Sequence, residues 1–400
     1  MKACFIGLGY IGLPTAIVAA NKGVDIVGVD INPSIVKQTN DGQSHIVESG
    51  LQDLLRKAVG CKKLIARETP VKADAFIVFV PTPINNQKQP DISFVEAATR
   101  TVIPLLEPGN LFVIESTVPV GTTEQMADLI YQERPELRDK LYIAYCPERM
   151  IPGRAVYELT HNDRVIGGIN EASAAKASRF YSMFVEGELH TTDTRTAEMC
   201  KLVENSFRDV QIAFANELSI VCDNAGIDAN RLIGLANLHP RVNILTPGCG
   251  VGGHCIAVDP YFLISKFPKD TNLIQQARKS NIYKTQWCIA KIKKSINDFE
   301  LSYKRRPKVA LMGLAFKPDI DDLRESPAID IVSEIMKLSN DMEIMISEPN
   351  IKRHPTFKLT NYTDAFRAAD IIVFLVGHSS FKNLPADSDK IILDFCGVLS

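Results

Sequence analysis

The sequence of 400 residues lacks the features of membrane-spanning, secreted and nucleic-acid-binding proteins. No apolar run reaches the roughly 18 residues that a membrane-spanning helix needs, and the apolar run at the N-terminus is too short for the core of a signal peptide. A formal net charge of -2, with acidic and basic residues mixed along the chain, gives no field that would attract nucleic acid or an anionic membrane. These absences favour a cytoplasmic protein that acts on small molecules.

The nine cysteines lack the even count and regular spacing of a secreted disulfide framework. No CxxC pair suggests structural zinc, and no metal is expected. A reducing cytoplasm is therefore the expected compartment. With roughly 100–200 residues per domain as a prior, the length predicts two or three domains.

The N-terminal segment, residues 2–32, predicts a strand, a glycine turn, a helix and a second strand. Gly7, Gly9 and Gly12 form GxGxxG in that turn, where they allow a tight bend and the close approach of a pyrophosphate to backbone N–H groups. Asp30 ends the second strand, where a carboxylate accepts hydrogen bonds from a ribose diol and repels a 2′-phosphate. The pattern predicts NAD as cofactor; the alternative is a glycine turn that only packs this unit.

Short apolar runs at residues 75–81, 111–117 and 141–147 alternate with helical stretches, as in a parallel doubly wound sheet. We therefore expect an NAD-binding Rossmann domain over residues 1–190. Thr82 and Thr117 follow two of these strands at the sheet edge where ligands bind, which makes both candidate cofactor contacts. Each is also consistent with a helix cap or a turn.

The fold class that we predict is α/β, with two Rossmann-like doubly wound domains joined by a long central helix and a helical middle domain. A proline-free stretch, 194–226, predicts the long helix, within a middle domain over residues 191–303. Residues 304–400 repeat the opening pattern: 309–316 resembles 3–10, and Glu348 takes the place of Asp30. The site is expected in the cleft between the two α/β domains.

The long helix carries Lys201, Asn205 and Arg208 at spacing i, i+4, i+7, which predicts one polar face. A lysine and an asparagine one turn apart can stabilise an alkoxide and position a water; the alternative is a solvated polar stripe. The apolar surface of the helix is expected to come from four neighbouring residues, Leu202, Val203, Phe207 and Val210.

The segment PGCGVGGHCIAVDP, residues 247–260, contains four glycines, which disfavour regular structure and suit backbone exposed to phosphate, sugar hydroxyls or an oxyanion. Cys255 follows these glycines, and a thiolate beside a nicotinamide suggests oxidation of an aldehyde through a thiohemiacetal and a thioester. Cys249 is a rival nucleophile. For either thiol the alternative is a small residue that fills a gap in the core.

These motifs together resemble the UDP-glucose/GDP-mannose dehydrogenase family, whose members oxidise C6 of a nucleotide sugar to the uronic acid. The resemblance rests on GLGYIGLP, VPTP, STVPVGTT, CPER, AEMCKLVENSFRD, GVGGHCIAVDP and GLAFKPDIDDLRESP in this order, and it covers nearly the whole chain. It implies a four-electron oxidation with NAD, for the synthesis of cell-surface polysaccharide precursors. The C-terminal domain would bind the UDP-sugar.

The resemblance also implies roles for individual residues. Cys255 would be the nucleophile, with Lys201 and Asn205 holding an oxyanion and a water, and Asp259 supporting proton transfer. The remaining catalytic residues would be Thr117 and Glu148. Further cofactor contacts would be Tyr10, Ile11 and Arg324. Further substrate contacts would be Arg149, Met150, Arg208, His239, Gly252, Phe316 and Lys317. Arg241 would reach the neighbouring site across a homodimer.

Arg149 bears on the choice of sugar. In relatives that act on UDP-glucose an apolar residue stands there, whereas an arginine fork suits an acetamido carbonyl. Within the family the segments NDRVIGG and HPRVNILTPGCGVGGHC look most like the UDP-N-acetyl-D-mannosamine dehydrogenases, with UDP-N-acetylglucosamine or UDP-glucose as alternative substrates. Cys249 departs from the family pattern and suggests oxidation to a disulfide. The alternatives are a two-electron dehydrogenase of the 3-hydroxyacid kind and a non-catalytic nucleotide-sugar-binding protein.

Overall fold

The computed structural model describes residues 1–46, 48–150, 153–338, 342–385 and 389–399. The chain divides into two compact units. The first comprises Met1–Glu204 and Tyr261–Lys266, and the second comprises Asn205–Pro260 and Phe267–Ser400. Because their boundary lies inside a helix, the three-domain division into 1–190, 191–303 and 304–400 stays a prediction.

The first unit is built on one eight-stranded sheet flanked by helices. Its strands are β1 Lys2–Ile6, β2 Asp25–Val29, β3 Leu64–Arg67, β4 Ala75–Val78, β5 Leu111–Ile114, β6 Tyr142–Tyr145, β7 Arg164–Gly168 and β8 Leu189–Asp193. Its helices are α1 Gly12–Asn21, α2 Pro33–Asn40, α3 Leu51–Gly60, α4 Ser93–Val102, α5 Thr122–Glu133, α6 Ala155–His161 and α7 Glu171–Tyr181. The strand order is β3-β2-β1-β4-β5-β6-β7-β8.

The central strands of this sheet are buried on both faces, which explains their continuous apolar sequences. The sheet is parallel except for β6 and β7, which pair antiparallel. A parallel neighbour requires a crossover that returns the chain to the same edge. In the described part of the connection between β6 and β7 we find one helix, the short α6, which packs against α1, and the chain re-enters the sheet in the opposite direction. The sequence pattern did not predict this reversal.

Helix α8, Thr194–Ala225, runs through the boundary between the units and ends just before Gly226, as predicted. The prediction for its apolar surface is wrong in part. Leu202 is buried, but Val203 and Phe207 are 43% and 62% exposed. Polar residues, among them Glu198 and Asp209, occupy the buried face instead.

The second unit contains a four-stranded parallel sheet of order β10-β9-β11-β12. Its further elements are α9 Ala229–Ala236, α11 Asn272–Tyr303, β9 Val309–Met312, α12 Pro327–Met336, β10 Ile344–Ser347, α13 Tyr362–Ala368, β11 Ile371–Phe374 and β12 Ile391–Asp394; α10, Pro260–Lys266, lies almost wholly in the first unit. The order matches β2-β1-β4-β5 of the first unit. The Gly7 N–H donates to the Val29 carbonyl at 2.7 Å, and the Gly313 N–H donates to the Ser347 carbonyl at 2.7 Å. The predicted pair of Rossmann-like domains is confirmed.

Across the described ranges, we find no helix with the length and apolar character needed to cross a membrane.

Candidate active site

The glycine turn after β1 is as tight as its sequence requires. Gly7 has φ +101°, and a Cβ on Gly12 would lie 1.9 Å from the Gly7 carbonyl oxygen. A Cβ on Gly9, by contrast, would meet no atom within 4 Å. Gly12 therefore allows α1 to approach the turn, and the open space at Gly9 fits a pyrophosphate close to the backbone. Tyr10 and Ile11 continue the turn, and the Tyr10 hydroxyl donates to Glu48 Oε1 at 3.1 Å.

Asp30 follows β2 and lies partly buried beside this turn. Its Oδ2 accepts the Leu8 N–H at 3.0 Å, and its Oδ1 accepts the Asn32 N–H at 2.9 Å. The carboxylate is thereby oriented, and each oxygen keeps a second lone pair for a ribose hydroxyl. Burial holds the pKa of nearby His45 below its ordinary value although the Asp30 charge opposes this. A neutral imidazole does not attract a 2′-phosphate, so these residues fit NAD.

Thr82 and Thr117 are brought together at the carboxyl ends of β4 and β5. The Thr82 hydroxyl donates to the Thr117 carbonyl at 2.5 Å, and both residues are partly exposed. Glu198, the fifth residue of α8, accepts the N–H of Gly121 and both the N–H and the hydroxyl of Thr123. The buried Glu198 thus joins the start of α5 to α8. The α5 end of this contact is close in sequence to Thr117, and the α8 end is close to Lys201.

Lys201 and Glu148 also lie together. Lys201 Nζ donates to the Glu148 backbone carbonyl at 2.7 Å. The Glu148 side chain is buried, and its Oε1 accepts the N–H groups of Arg149 and Met150, each at 2.7 Å. Its Oε2 lies 2.9 Å from the Arg164 guanidinium. Glu148 therefore fixes the segment that holds the Lys201 ammonium.

Arg164 connects Glu148 to a second buried carboxylate, Glu115. The Tyr181 hydroxyl donates to Glu115 Oε1. Burial raises the pKa of Glu115 to about 7, although the Arg164 charge acts to lower it. Sequence reasoning singled out Glu148 but missed Glu115, Arg164 and Tyr181, because these residues are distant in sequence and meet only in the folded chain. The available signal is a charged residue beside a buried strand: Glu115 directly follows β5, Glu148 comes three residues after β6, and Arg164 begins β7.

In the second unit the structure joins Asn205, Asp259 and Cys255. Asn205 Nδ2 donates to Asp259 Oδ2 at 2.5 Å, and the N–H of Asp259 donates to the Cys255 carbonyl at 2.8 Å. Asp259 is 3% exposed, whereas Cys255 is partly exposed in the turn that Asp259 closes. A partly exposed thiol, one turn from a buried carboxylate that is hydrogen-bonded to an amide, is an arrangement that suits covalent catalysis.

Cys249, the rival nucleophile, lies in the core of the second unit. It is 5% exposed, and its Sγ lies 3.4 Å from the Leu375 carbonyl oxygen. A hydrogen bond with Cys288, together with burial, raises the pKa of Cys249 well above its ordinary value. Because the thiolate is the reactive form, Cys249 is a packing residue and not a nucleophile. None of the nine cysteines, all of which lie in the described ranges, forms a disulfide.

The glycines before Cys255 pack against the segment 316–325. A Cβ on Gly252 would lie 2.4 Å from the Glu325 carbonyl oxygen, and a Cβ on Gly253 would lie 2.9 Å from the Phe316 ring. The Gly253 N–H donates to the Arg324 carbonyl at 3.0 Å. Close packing therefore requires these two glycines, and their exposure to an oxyanion stays a prediction. The structure brings Gly252, Phe316 and Arg324 together.

The other candidates lie nearer the surface. Lys317 is partly exposed beside Phe316, and the Arg324 guanidinium pairs with Asp322. Arg149 pairs with Glu204 at 2.9 Å. Exposed candidates from the second unit are Arg208, His239 and Arg241, the last donating its N–H to His239 Nδ1 at 3.3 Å.

A glycine turn with its acidic partner, a partly exposed cysteine in a loop and a second α/β unit together indicate a nucleotide-dependent dehydrogenase. Three parts of one family description match the chain: the NAD binding domain at residues 1–185, the central domain at 195–283 and the UDP binding domain at 310–400. The chain belongs to the UDP-glucose/GDP-mannose dehydrogenase family, whose enzymes are NAD-dependent nucleotide-sugar dehydrogenases.

Relatives match over nearly the full length. The UDP-N-acetyl-D-mannosamine dehydrogenase of Campylobacter jejuni is 48% identical and covers 99% of both chains. The NDP-N-acetyl-D-galactosaminuronic acid dehydrogenase of Ralstonia nicotianae is 46% identical over 99% of this chain and 95% of its own. The structure of UDP-D-ManNAc dehydrogenase from Pyrococcus horikoshii superposes with a TM-score of 0.89 at 37% identity, covering 100% of this chain and 96% of that one.

Proposed function

We propose that this protein is a cytoplasmic enzyme that oxidises UDP-N-acetyl-D-mannosamine at C6 to UDP-N-acetyl-D-mannosaminuronate, a precursor for cell-surface polysaccharide. The observation that carries the proposal is the turn in which partly exposed Cys255 adjoins the Asp259–Asn205 hydrogen bond. The full-length similarity to UDP-N-acetyl-D-mannosamine dehydrogenases supports the choice of substrate.

The reaction removes four electrons from one carbon. NAD, held by the Gly7–Gly12 turn and Asp30, supplies the hydride acceptor when bound. The sugar alcohol, two NAD and one water become the carboxylate, two NADH and three protons. Cys255 Sγ bonds to the C6 aldehyde that the first oxidation produces, which keeps the aldehyde from escaping. The second oxidation leaves a thioester, and water breaks its C–S bond and returns the thiol.

The polar residues divide this work. The Lys201 ammonium, held by the Glu148 carbonyl, stabilises the oxyanion that forms at C6. Asn205 is fixed by Asp259 and orients the water together with Thr117, while Asp259 supports proton transfer. Phe316 and Lys317 contact the substrate, as do Gly252 and Met150. Arg324, Thr82, Tyr10 and Ile11 contact the cofactor.

Arg149 makes the enzyme specific for a sugar that carries an acetamido group. Its pairing with Glu204 keeps the guanidinium in place, and a guanidinium suits the acetyl carbonyl oxygen of an N-acetyl-hexosamine. UDP-N-acetylglucosamine and UDP-glucose are the alternative substrates. His239, Arg208 and Arg241 complete the substrate contacts, with Arg241 reaching the neighbouring protomer in a homodimer.

The experiment offers a panel of UDP- and GDP-sugars with NAD and counts the NADH formed per sugar consumed. UDP-N-acetyl-D-mannosamine should give two NADH per sugar with the highest kcat/KM. One NADH per sugar would indicate a two-electron dehydrogenase, and none would indicate a binding protein.

The Cys255→Ser variant tests the covalent step on the same substrate. It should lose acid formation because no thioester can form, while the exposed Cys61→Ser control should keep wild-type turnover. Acid formation by Cys255→Ser near the wild-type rate would contradict the covalent mechanism.

A further inference from the structure

Glu348 occupies the position in the second unit that Asp30 occupies in the first, but its surroundings differ. Glu348 Oε2 accepts the N–H groups of Leu314 and Ala315 at 2.7 and 3.0 Å, much as Asp30 accepts the Leu8 N–H. Asp30 is partly exposed, whereas Glu348 is 5% exposed. The Glu348 carboxylate is therefore engaged by the protein itself and is not available to a ribose.

Glu348 has two further partners. Asn350 donates its N–H and its side-chain amide to Glu348 Oε1 at 3.0 and 3.2 Å, and His378, which is fully buried, contacts Oε2. His378 Nε2 lies 3.0 Å from Glu348 Oε2, and His378 Nδ1 accepts the Asp319 N–H at 2.9 Å. Because Nδ1 accepts a hydrogen bond from a backbone N–H, the ring proton resides on Nε2 and is donated to Glu348. One imidazole thus contacts both the carboxylate that holds residues 314 and 315 and the backbone of residue 319.

The segment 314–319 is held at its start, where Leu314 and Ala315 are buried and the Phe316 N–H donates to the Asp322 carbonyl at 3.1 Å, but its far end has less support. It contains no helix or strand, and Pro318 and Asp319 are exposed. Asp319 has φ +59°, and its Oδ1 accepts the N–H and the hydroxyl of Ser379, each at 2.9 Å. His378 and its neighbour Ser379 therefore fix the far end of the segment. Without these hydrogen bonds, that end would lose conformational entropy when a ligand binds.

We propose that His378, acting with Glu348, is a positioning residue that holds the segment 314–319 in its ligand-binding conformation and thereby sets the affinity for the nucleotide sugar. The inference rests on the proposed function, because Phe316 and Lys317 of this segment are its substrate contacts. His378 takes no part in hydride transfer or thioester chemistry. Its loss raises KM and leaves kcat unchanged.

Two substitutions at position 378 test separately the hydrogen bond from the Asp319 N–H and the hydrogen bond to Glu348. The amide oxygen of His378→Asn replaces Nδ1 as the acceptor for the Asp319 N–H. The amide nitrogen of His378→Gln replaces Nε2 as the donor to Glu348 and leaves the Asp319 N–H without an acceptor. KM should rise about tenfold in His378→Gln, the effect of one lost buried hydrogen bond, and clearly less in His378→Asn, with kcat within about twofold of wild type in both.

A second variant, at exposed Asp319, removes the other hydrogen bonds that hold the far end of the segment 314–319. Asp319→Ala removes the acceptor for Ser379 without emptying space in the core, so it should fold and should also raise KM. The control is Phe366→Leu, a purely apolar change in the core of the same unit, which should lower Tm and leave KM unchanged. Unchanged KM in His378→Gln and Asp319→Ala, or a fall in kcat instead, would overturn the proposal.

The two hypotheses fail separately. Wild-type turnover tests the proposed function, and the ratio of variant KM to wild-type KM tests the positioning role. If the wild type oxidises none of the sugars, binding of UDP to the full chain, measured by calorimetry, replaces KM. UDP should then bind about tenfold more weakly to His378→Gln than to the wild type. Equal UDP affinity, or no UDP binding by the wild type, would overturn the positioning role.

Discussion

Glu115 is a buried residue of the first unit whose charge state depends on burial. Its carboxyl group lies between the Tyr181 hydroxyl and the Arg164 guanidinium, and burial raises its pKa from 4.5 to about 7. Between those values the native state holds a proton that the unfolded chain has lost. Stability therefore falls as pH rises through this window.

The Glu115→Gln variant removes this titration. Its free energy of unfolding, relative to that of the wild type, should rise by up to about 3 kcal/mol between about pH 5 and about pH 8. Urea unfolding at the two pH values measures the difference. Glu188→Gln, a matched change at an exposed carboxylate, should follow the wild type. Parallel pH profiles for Glu115→Gln and the wild type would show that Glu115 does not titrate in this window.

At the scale of elements, helix α8 shows what the sequence predicts and what it does not. Its length and its end at Gly226 follow from local signals, as do the glycine turn and Asp30. Which stripe of α8 faces inward does not follow, because exposed Val203 and Phe207 and buried Glu198 and Asp209 depend on partners far away in sequence. Asp209, for example, is paired with Arg278 of α11.

In the candidate site, too, some contacts could be predicted from the sequence and others could not. Cys255 and Asp259 share one short turn, so their proximity could be predicted from the sequence. The contact of Lys201 with the Glu148 carbonyl, and the packing of Gly253 on Phe316, depend on tertiary structure and could only be observed. Burial of Cys249 is likewise a tertiary property, and it favours Cys255 in a choice between two thiols that spacing left open.

Glu198 provides the test at this scale, because it joins α8 to the start of α5 through three accepted hydrogen bonds. Glu198→Gln turns one acceptor into a donor that faces N–H or hydroxyl donors. Its free energy of unfolding should fall by about 2 kcal/mol, the cost of unsatisfied buried polar groups. Chemical denaturation measures this loss, and Glu217→Gln on the exposed side of α8 should change stability little. An equal loss in both variants would contradict the role of Glu198 in joining α8 to the start of α5.

At the scale of the whole molecule, the second unit exposes an apolar surface. Phe207, Phe214 and Val221 lie seven residues apart on α8 and are 62%, 57% and 57% exposed, so they form one stripe. Leu238, just before Arg241, is 78% exposed. Large apolar groups in a contiguous patch favour a partner, and a second copy of the chain fits the proposed homodimer because the same stripe can pack on itself.

The trans role of Arg241 in this homodimer can be tested with mixed dimers. An Arg241→Ala protomer keeps its own Cys255 but lacks the arginine for its neighbour, and a Cys255→Ser protomer supplies that arginine. Equal amounts, unfolded and refolded together, should recover about a quarter of wild-type turnover, because half of the dimers are mixed and each has one complete site. A mixture of Lys201→Ala with Cys255→Ser should recover nothing, since both residues serve the same protomer's site. Phe214→Asp places a charge in the apolar stripe, so it should give monomers by light scattering and abolish the recovery of turnover. If the mixture of Arg241→Ala and Cys255→Ser recovers no turnover, Arg241 acts in its own protomer's site or in neither site.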